Sequence, residues 1–403
     1  MFTSPIRYAL RALSTLFPPQ KPLVFSGPGS TRKLAELMIA SGQRRPLLIT
    51  GRFLHKRGML DDLLDFLRVE GCEVTIFDGI TPNPTFAVVE AGLALAQTHN
   101  CDSILAIGGG SAIDTAKVIA AARTNPGGMR KLAGLLKVKT PPLPFYVVPT
   151  TSGTGSEATT AAVISDTESH RKQFFVDPKY IPIATALDPE LLKSLPALLT
   201  AATGMDALTH AIEAYTSCNR FADTDRDAAL AIRLLFEYLP QVYTNGDDLK
   251  AREQVALASF LAGYAFTKSS LGYVHAISHQ VSAHYNTSHG LTNAVILPRV
   301  LRFNKSVSAE RFAALEGMLS GENSSTDVAV LTERFIARVD QLSDQLDIPV
   351  NLVDIQPQDY RTIVQNALSE ARSSYAVPRA MSHNQVEAIL RSVAGGERDI
   401  SFA

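Results

Sequence analysis

Up to about residue 195, short β-branched runs alternate with amphipathic stretches; beyond that point the strand signals stop. No other feature of the 403 residues constrains the fold as much. PLLIT (46–50), EVTIF (73–77), SILAI (103–107) and PFYVV (144–148) read as buried strands. LDDLLDFLRV, FAVVEAGLALAQ and IDTAKVIAAA, lying between them, carry apolar residues at helical spacing. Alternation of this kind belongs to a parallel sheet covered by helices on both faces, and such sheets bind ligands at the carboxyl ends of their strands. From PALLTAATGMDALTHAIEAY to HNQVEAILRSV the chain is helical in period, with GENSSTD (321–327) reading as a loop. One hydrophobic core does not grow to serve a chain of this length. The expected architecture is therefore an α/β N-terminal domain, Rossmann-like, over 23–195, followed by an all-α domain over 196–403. Residues 1–22 form a separate N-terminal extension.

Charge and cysteine content narrow the function. With 38 basic against 39 acidic side chains, no net field draws the chain to nucleic acid or an anionic membrane. A small neutral ligand is the better expectation. Cys72, Cys101 and Cys218 are odd in number and contain no CxxC pair, so neither a disulfide framework nor a cysteine-held metal is expected, and a reducing, cytoplasmic setting fits. No apolar run is long enough to form an integral membrane segment. The extension is different in kind: no Asp or Glu precedes Glu36, and Ile6, Leu10, Leu13 and Phe17 share one helical face apart from Arg7 and Arg11. It reads as a helix packed on its own domain or a neighbouring subunit, with organelle targeting and peripheral membrane contact as the alternatives.

Three motifs follow strands. In SILAIGGGSAIDTAK the glycines Gly108, Gly109 and Gly110 lead into a helix, so backbone amides can crowd a pyrophosphate with no Cβ in the way, and Ser111 adds a hydroxyl. VVPTTSGTGSEAT repeats the arrangement after the next strand, with hydroxyls at Thr150, Thr151, Thr154 and Ser156. TPNPT follows another strand, and its Asn83 is placed to reach a ribose or nicotinamide. No GxGxxG with a downstream acid is present, so these loops point to a nucleotide without specifying a nicotinamide.

The helical half concentrates imidazole. HAISHQVSAHYNTSH holds four of the nine histidines. At ~100° per residue, His275 and His279 differ by about 40° in direction while His284 faces the opposite side. YNTSHG breaks the helix and leaves His289 on a turn before Gly290, able to fold back toward the His275 face. Upstream, Asp206 and His210 stand four apart in TGMDALTHAIEAY, on one helical stripe. One carboxylate with two or three imidazoles, from two helices, suits a borderline divalent cation.

GGGSAIDTAK, PTTSGTGSEAT, ATGMDALTHAIEAY and HAISHQVSAHYNTSHG, in this order and at these separations, resemble the iron-containing (group III) alcohol dehydrogenases. The resemblance runs from LVFSGPGS at residue 23 to PRAMSHNQVEAIL. It implies a dehydroquinate synthase-like architecture with the active site in the cleft between two domains. By position it implies Asp206, His210, His275 and His289 as metal ligands, with His279 beside the metal as a proton-transfer or substrate-orienting residue and His284 incidental. It further implies Gly109, Gly110 and Ser111 as the pyrophosphate loop and Asp114 as a cofactor-side polar residue. Asn83, Thr150, Thr151, Thr154 and Lys172 would line the cofactor cleft, and Phe266 the substrate channel. Fe(II) is the implied metal, with Zn(II) as the alternative that binds such donors more tightly.

Two departures from the family pattern bear on specificity. Many relatives end the second strand with an aspartate that holds the adenosine ribose; here Gly51 stands there, followed by Arg52. Loss of the acid and gain of a guanidinium favour NADP(H) over NAD(H). Secondly, Gln280 and Ser282 follow the second histidine where relatives often have Pro and Gly. The expected activity is hydride transfer between NAD(P)(H) and a small primary alcohol or aldehyde, by a homodimer or larger homo-oligomer. Polyol dehydrogenase, hydroxyacid-oxoacid transhydrogenase and dehydroquinate synthase-like lyase are the alternatives on the same fold. A non-catalytic assembly protein is the alternative of another class.

Overall fold

The computed structural model describes residues 15, 20–168, 171–321, 327–352, 355–400 and 402. The N-terminal helix expected over 6–17 and most of the loop expected over 321–327 lie outside the described residues. Nine strands are present among those described: β1 (Leu23–Ser26), β2 (Pro46–Gly51), β3 (Thr75–Ile80), β4 (Ser103–Gly108), β5 (Gly134–Leu135), β6 (Phe145–Pro149), β7 (Ala161–Asp166), β8 (Arg171–Val176) and β9 (Ala184–Leu187). Six form one sheet in the order β1-β9-β6-β4-β2-β3, every neighbouring pair parallel.

Strand pleat explains the continuous apolar runs. Leu47 and Ile49 pair with Ile104 and Ala106 and point into one core, while Leu48, Leu105 and Ile107 point into another on the opposite face. Both faces are covered, so residues of both parities are mostly apolar. Each such aliphatic side chain, once buried, contributes about 1.5–3 kcal/mol. The four expected strands are all present, with the second of them, expected from residue 73, beginning two residues later, at Thr75. β1 and β9, four residues each, are too short to register as runs in the sequence. β5, β7 and β8 form a second small sheet in the order β5-β8-β7, in which β7 and β8 are antiparallel.

The chain leaves β2 toward the sheet edge at β3 and leaves β4 in the opposite direction, toward β6. β2 and β4 are neighbours, so the strand order reverses between them, and their carboxyl ends, Gly51 and Gly108, flank the switch point where open α/β sheets bind ligands.

Two compact units are present. The first joins Pro19–Leu195 to the helical segment Gly246–Phe260. Within it Arg252 donates to the carbonyls of Gly246 (2.9 Å) and Leu195 (3.2 Å), and Ser26 Oγ donates to Glu253 Oε1 at 2.7 Å. The second unit, Pro196–Asn245 with Leu261–Ala403, is helical. Its long His289–Ser320 helix packs on the Ala197–Thr216, Val328–Gln345 and Tyr273–Tyr285 helices, and the last of these also packs on Tyr360–Ser374.

Local chemistry at 285–289 differs from expectation. Asn286 takes a left-handed conformation (φ 53°) and caps the Tyr273–Tyr285 helix, Ser288 occupies the next N-cap position, and His289 is the first residue of a new helix instead of a turn residue. A Cβ on Gly290 would lie 2.4 Å from the carbonyl oxygen of Ala202, so only glycine lets this helix start against its neighbour. No helix among the described residues is long and apolar enough to cross a membrane.

Candidate metal centre and cofactor loops

From Thr200 onward the Ala197–Thr216 helix is buried over nearly its whole surface, and it presents Asp206 and His210 one turn apart. His275 comes from the Tyr273–Tyr285 helix, and His289 from the start of the helix that follows. Asp206 Oδ1 lies 3.9 Å from His210 Nε2, 3.6 Å from His275 Nε2 and 3.6 Å from His289 Nε2. Donors bound ~2.1 Å from one ion in tetrahedral geometry stand about 3.4 Å apart, close to these separations. Asp206, His210 and His275 are buried, and their ligand atoms all lie within 4.8 Å of one another. Their one carboxylate oxygen and two imidazole nitrogens are donors of the kind that suit Fe(II) or Zn(II), and His289 Nε2 approaches the same carboxylate oxygen.

Surrounding groups hold these donors. His275 Nδ1 meets Glu213 Oε2 at 2.7 Å, and Glu213 also accepts the backbone N–H groups of Gly272 (2.8 Å) and Val274 (2.7 Å). A carboxylate only accepts, so His275 carries a proton on Nδ1 and turns Nε2 toward Asp206 and His289. Burial by itself would depress the His275 pKa, but the charges and hydrogen bonds of Glu213 and Asp206 push it up to about 9. Burial likewise works against ionised Asp206, yet His210, His289 and His275 hold its carboxyl well below the ordinary carboxylate range. Asn293 Nδ2 donates to Asp206 Oδ1 at 2.7 Å and lies 3.1 Å from Nε2 of both His275 and His289.

His279 stands beside this cluster. Its ring stacks on that of His289 with centroids 5.1 Å apart, and its Nδ1 meets Glu370 Oε1 at 2.6 Å. Glu370 is itself held by the Tyr375 hydroxyl and by Gln280 Nε2, at 2.7 Å for the latter. Gln280 thus braces the carboxylate behind His279. Phe266 stacks on His210 with centroids 4.4 Å apart. His284 lies outside the cluster, 3.3 Å from Asp359.

Glu213, Asn293 and Glu370 were not singled out by reading the sequence. Glu213 lies seven residues after Asp206, two helical turns along the same stripe, so the periodicity that paired Asp206 with His210 extends to it. Asn293 stands four residues after His289, a signal hidden by treating His289 as a turn residue. Glu370 carries no local signal, because 90 residues separate it from Gln280.

In the other unit the two hydroxyl- and glycine-bearing loops meet. A Cβ on Gly109 would lie 3.2 Å from Thr151 Oγ1, and one on Gly110 3.0 Å from Thr154 Oγ1. The amide of Thr150 donates to Gly108 O at 3.0 Å. Ser111 is in the first turn of the Gly110–Thr124 helix, whose amino end favours anions. Asp114 is directed inward: Oδ2 accepts the Val163 N–H at 2.9 Å, and burial pushes its carboxyl pKa up. Lys117, fully buried, donates to Thr159 O (2.8 Å), Thr159 Oγ1 (2.9 Å) and Ala161 O (2.7 Å), tying this helix to the segment after the threonine loop. Asn83 is exposed in a left-handed conformation (φ 52°) at the turn before the Phe86–Thr98 helix. Lys172 is exposed on β8, and its charge reaches Asp114. Gly51 ends β2, a Cβ there would meet no atom within 4 Å, and Arg52 is exposed beside it.

Comparison with known proteins gives one family over both halves. The family model described as iron-containing alcohol dehydrogenase matches residues 21–189, and that described as Fe-containing alcohol dehydrogenase family, C-terminal, matches residues 200–394. The chain is 36% identical over 368 residues to the NAD-dependent methanol dehydrogenase of Bacillus methanolicus. It is 40% identical over 375 residues to the 1,3-propanediol dehydrogenase of Klebsiella pneumoniae, and each match covers 91% of this chain and 96% of the relative. A crystal structure of 1,3-propanediol oxidoreductase superposes with a TM-score of 0.89 at 39% identity, covering 94% of this chain and 99% of the other. The chain belongs to the iron-containing alcohol dehydrogenase family.

Proposed function

We propose that this chain transfers hydride between a nicotinamide dinucleotide and a small primary alcohol or aldehyde, at a divalent cation held by Asp206, His210, His275 and His289. The observation that carries this reading is a single carboxylate oxygen, on Asp206, approached by three imidazole nitrogens at 3.6–3.9 Å. When bound, the cation supplies Lewis acidity that lowers the pKa of a substrate hydroxyl or polarises a carbonyl, and the dinucleotide supplies the hydride acceptor or donor. Fe(II) is the preferred occupant on the family likeness, with Zn(II) as the competitor.

The chain's own groups do the rest. Glu213 keeps the proton of His275 on Nδ1 and leaves Nε2 as a ligand. Glu370 likewise leaves Nε2 of His279 available to take or give the substrate's hydroxyl proton. Phe266, against His210, gives the substrate an apolar wall. Gly109, Gly110 and Ser111 admit the pyrophosphate, and Thr150, Thr151 and Thr154 line the facing loop. Asn83 and Lys172 complete the cofactor surroundings, whereas Asp114, which accepts the Val163 N–H, serves the fold. Gly51 and Arg52 favour NADP(H), since no acid at that position repels a 2′-phosphate and a guanidinium stands next to it. We also propose a homodimer or larger homo-oligomer, checked by light scattering. A cytoplasmic setting is supported by three free cysteines, one of them, Cys218, exposed.

A panel of small alcohols and aldehydes, assayed with both dinucleotides and added Fe(II) or Zn(II), tests the reading. His275→Ala should lose bound metal and turnover together; a metal-free His275→Ala protein with full activity would overturn it. Arg52→Ala should lower the affinity for NADPH relative to NADH.

A further inference from the structure

The glycine loop after β4 has the threonine loop after β6 on one side and the carboxyl ends of β2 and β3 on the other. A dinucleotide whose pyrophosphate sits on the glycine loop has two halves to place. The β2–β3 side offers the groups that can read one of them. Gly51, at the end of β2, pairs with Gly79, and the residue before Gly79 on β3 is Asp78. Asp78 Oδ2 lies 2.9 Å from Nδ1 of His55, on the short Arg52–Lys56 helix that leaves β2. Each of these two side chains is about one-third exposed, at 35% and 33%, so the pair faces a ligand or solvent instead of the core. The His55 hydrogen bond, joined by the charges of His55 and Arg52, holds the Asp78 carboxyl below its ordinary value. An acid is therefore present after all, one strand over from the position where Gly51 leaves open space.

We propose that Asp78 is a specificity-determining residue for the dinucleotide, reading the 2′ position of the adenosine ribose in opposition to Arg52. This rests on the nucleotide placement proposed above. A ribose hydroxyl donates to a carboxylate, whereas a 2′-phosphate is repelled by it and drawn to the guanidinium. With both charges present they nearly cancel, and the preference for NADP(H) is held down. Removing Asp78 leaves Arg52 uncompensated and raises that preference. His55 fixes the carboxylate in place.

The test is a fluorescence titration of the full chain with NADPH and NADH, in wild type, Asp78→Asn, Arg52→Ala and the double variant. Asp78→Asn should raise the NADPH-to-NADH affinity ratio by roughly tenfold at low ionic strength, and by less at high salt, because the effect is a screened charge interaction. In the double variant most of that gain should vanish. Asp78→Ser, with thermal unfolding measured alongside, should give the same shift, which guards against a folding defect in one variant. A ratio that stays fixed in both Asp78 variants while NADPH still binds overturns the proposal. If Arg52→Ala then moves the ratio, the Arg52 reading stands without Asp78. Failure of the wild type to bind either dinucleotide would overturn the nucleotide site and this inference together.

Discussion

Glu213 shows how much one side chain can decide. Buried behind His275, it fixes the protonated nitrogen of that histidine and satisfies the backbone amides of Gly272 and Val274 at the start of the helix that carries it. Glu213→Gln keeps the shape but leaves only one acceptor oxygen for three donors. The cation's dissociation constant should rise by about 10- to 100-fold, read by competition with a chelator. The same residue shows what was legible in the sequence. Asp206, His210 and Glu213 follow one helical stripe, so their common face is written in the spacing; the convergence of His275 on that face is not, because that histidine lies 69 positions beyond Asp206.

At the scale of elements, two meetings build the sites. One is between the loops after β4 and β6, where a Cβ added to Gly109 or Gly110 would press to 3.2 or 3.0 Å from the Thr151 or Thr154 side chain. The strand-loop-helix pattern announced both loops, and the parallel pairing of β4 with β6 brings them side by side. The other meeting is between the amino end of the His289–Ser320 helix and the Ala197–Thr216 helix, at Gly290. Alanine has a helix propensity better than glycine's by about 1 kcal/mol. Here its methyl would sit 2.4 Å from Ala202 O, a backbone atom that cannot swing aside. Overpacking of this kind costs ~1–3 kcal/mol and more where backbone must move. Gly290→Ala should therefore lower stability in chemical denaturation and displace His289 from Asp206, with a measurable loss of bound metal. A variant as stable as wild type that retains its metal would show that the two helices are not locked together at this point.

For the whole molecule, a cation held by the proposed donors Asp206, His210, His275 and His289 would be a ligand of the folded state alone, because those residues are brought together only by folding. At a free concentration of about 1,000 times its dissociation constant it would add about 4 kcal/mol of stability. Stripping the metal with a chelator should lower the thermal midpoint of the cation-binding unit, and re-addition should restore it, as read by calorimetry. An unchanged midpoint would mean that the metal does not bind where Asp206 and the histidines converge. In the other unit, polar chemistry lies on a scaffold fixed by apolar pleat. The two faces of the sheet carry separate cores, and Lys117 is held between Thr159 and Ala161 wholly within the protein.

The sequence alone determined the parallel α/β unit, its main strands, the glycine and threonine loops and the imidazole-rich helices, because periodicity and turn chemistry are local properties of adjacent residues. Tertiary structure alone decided that His289 starts a helix, that Glu370 backs His279, and that Asp78 stands beside the open position at Gly51. These are meetings of residues distant in the chain or on different strands. They depend on strand order and on how closely two helices approach, quantities set by the packing of the entire core and absent from any short window of sequence.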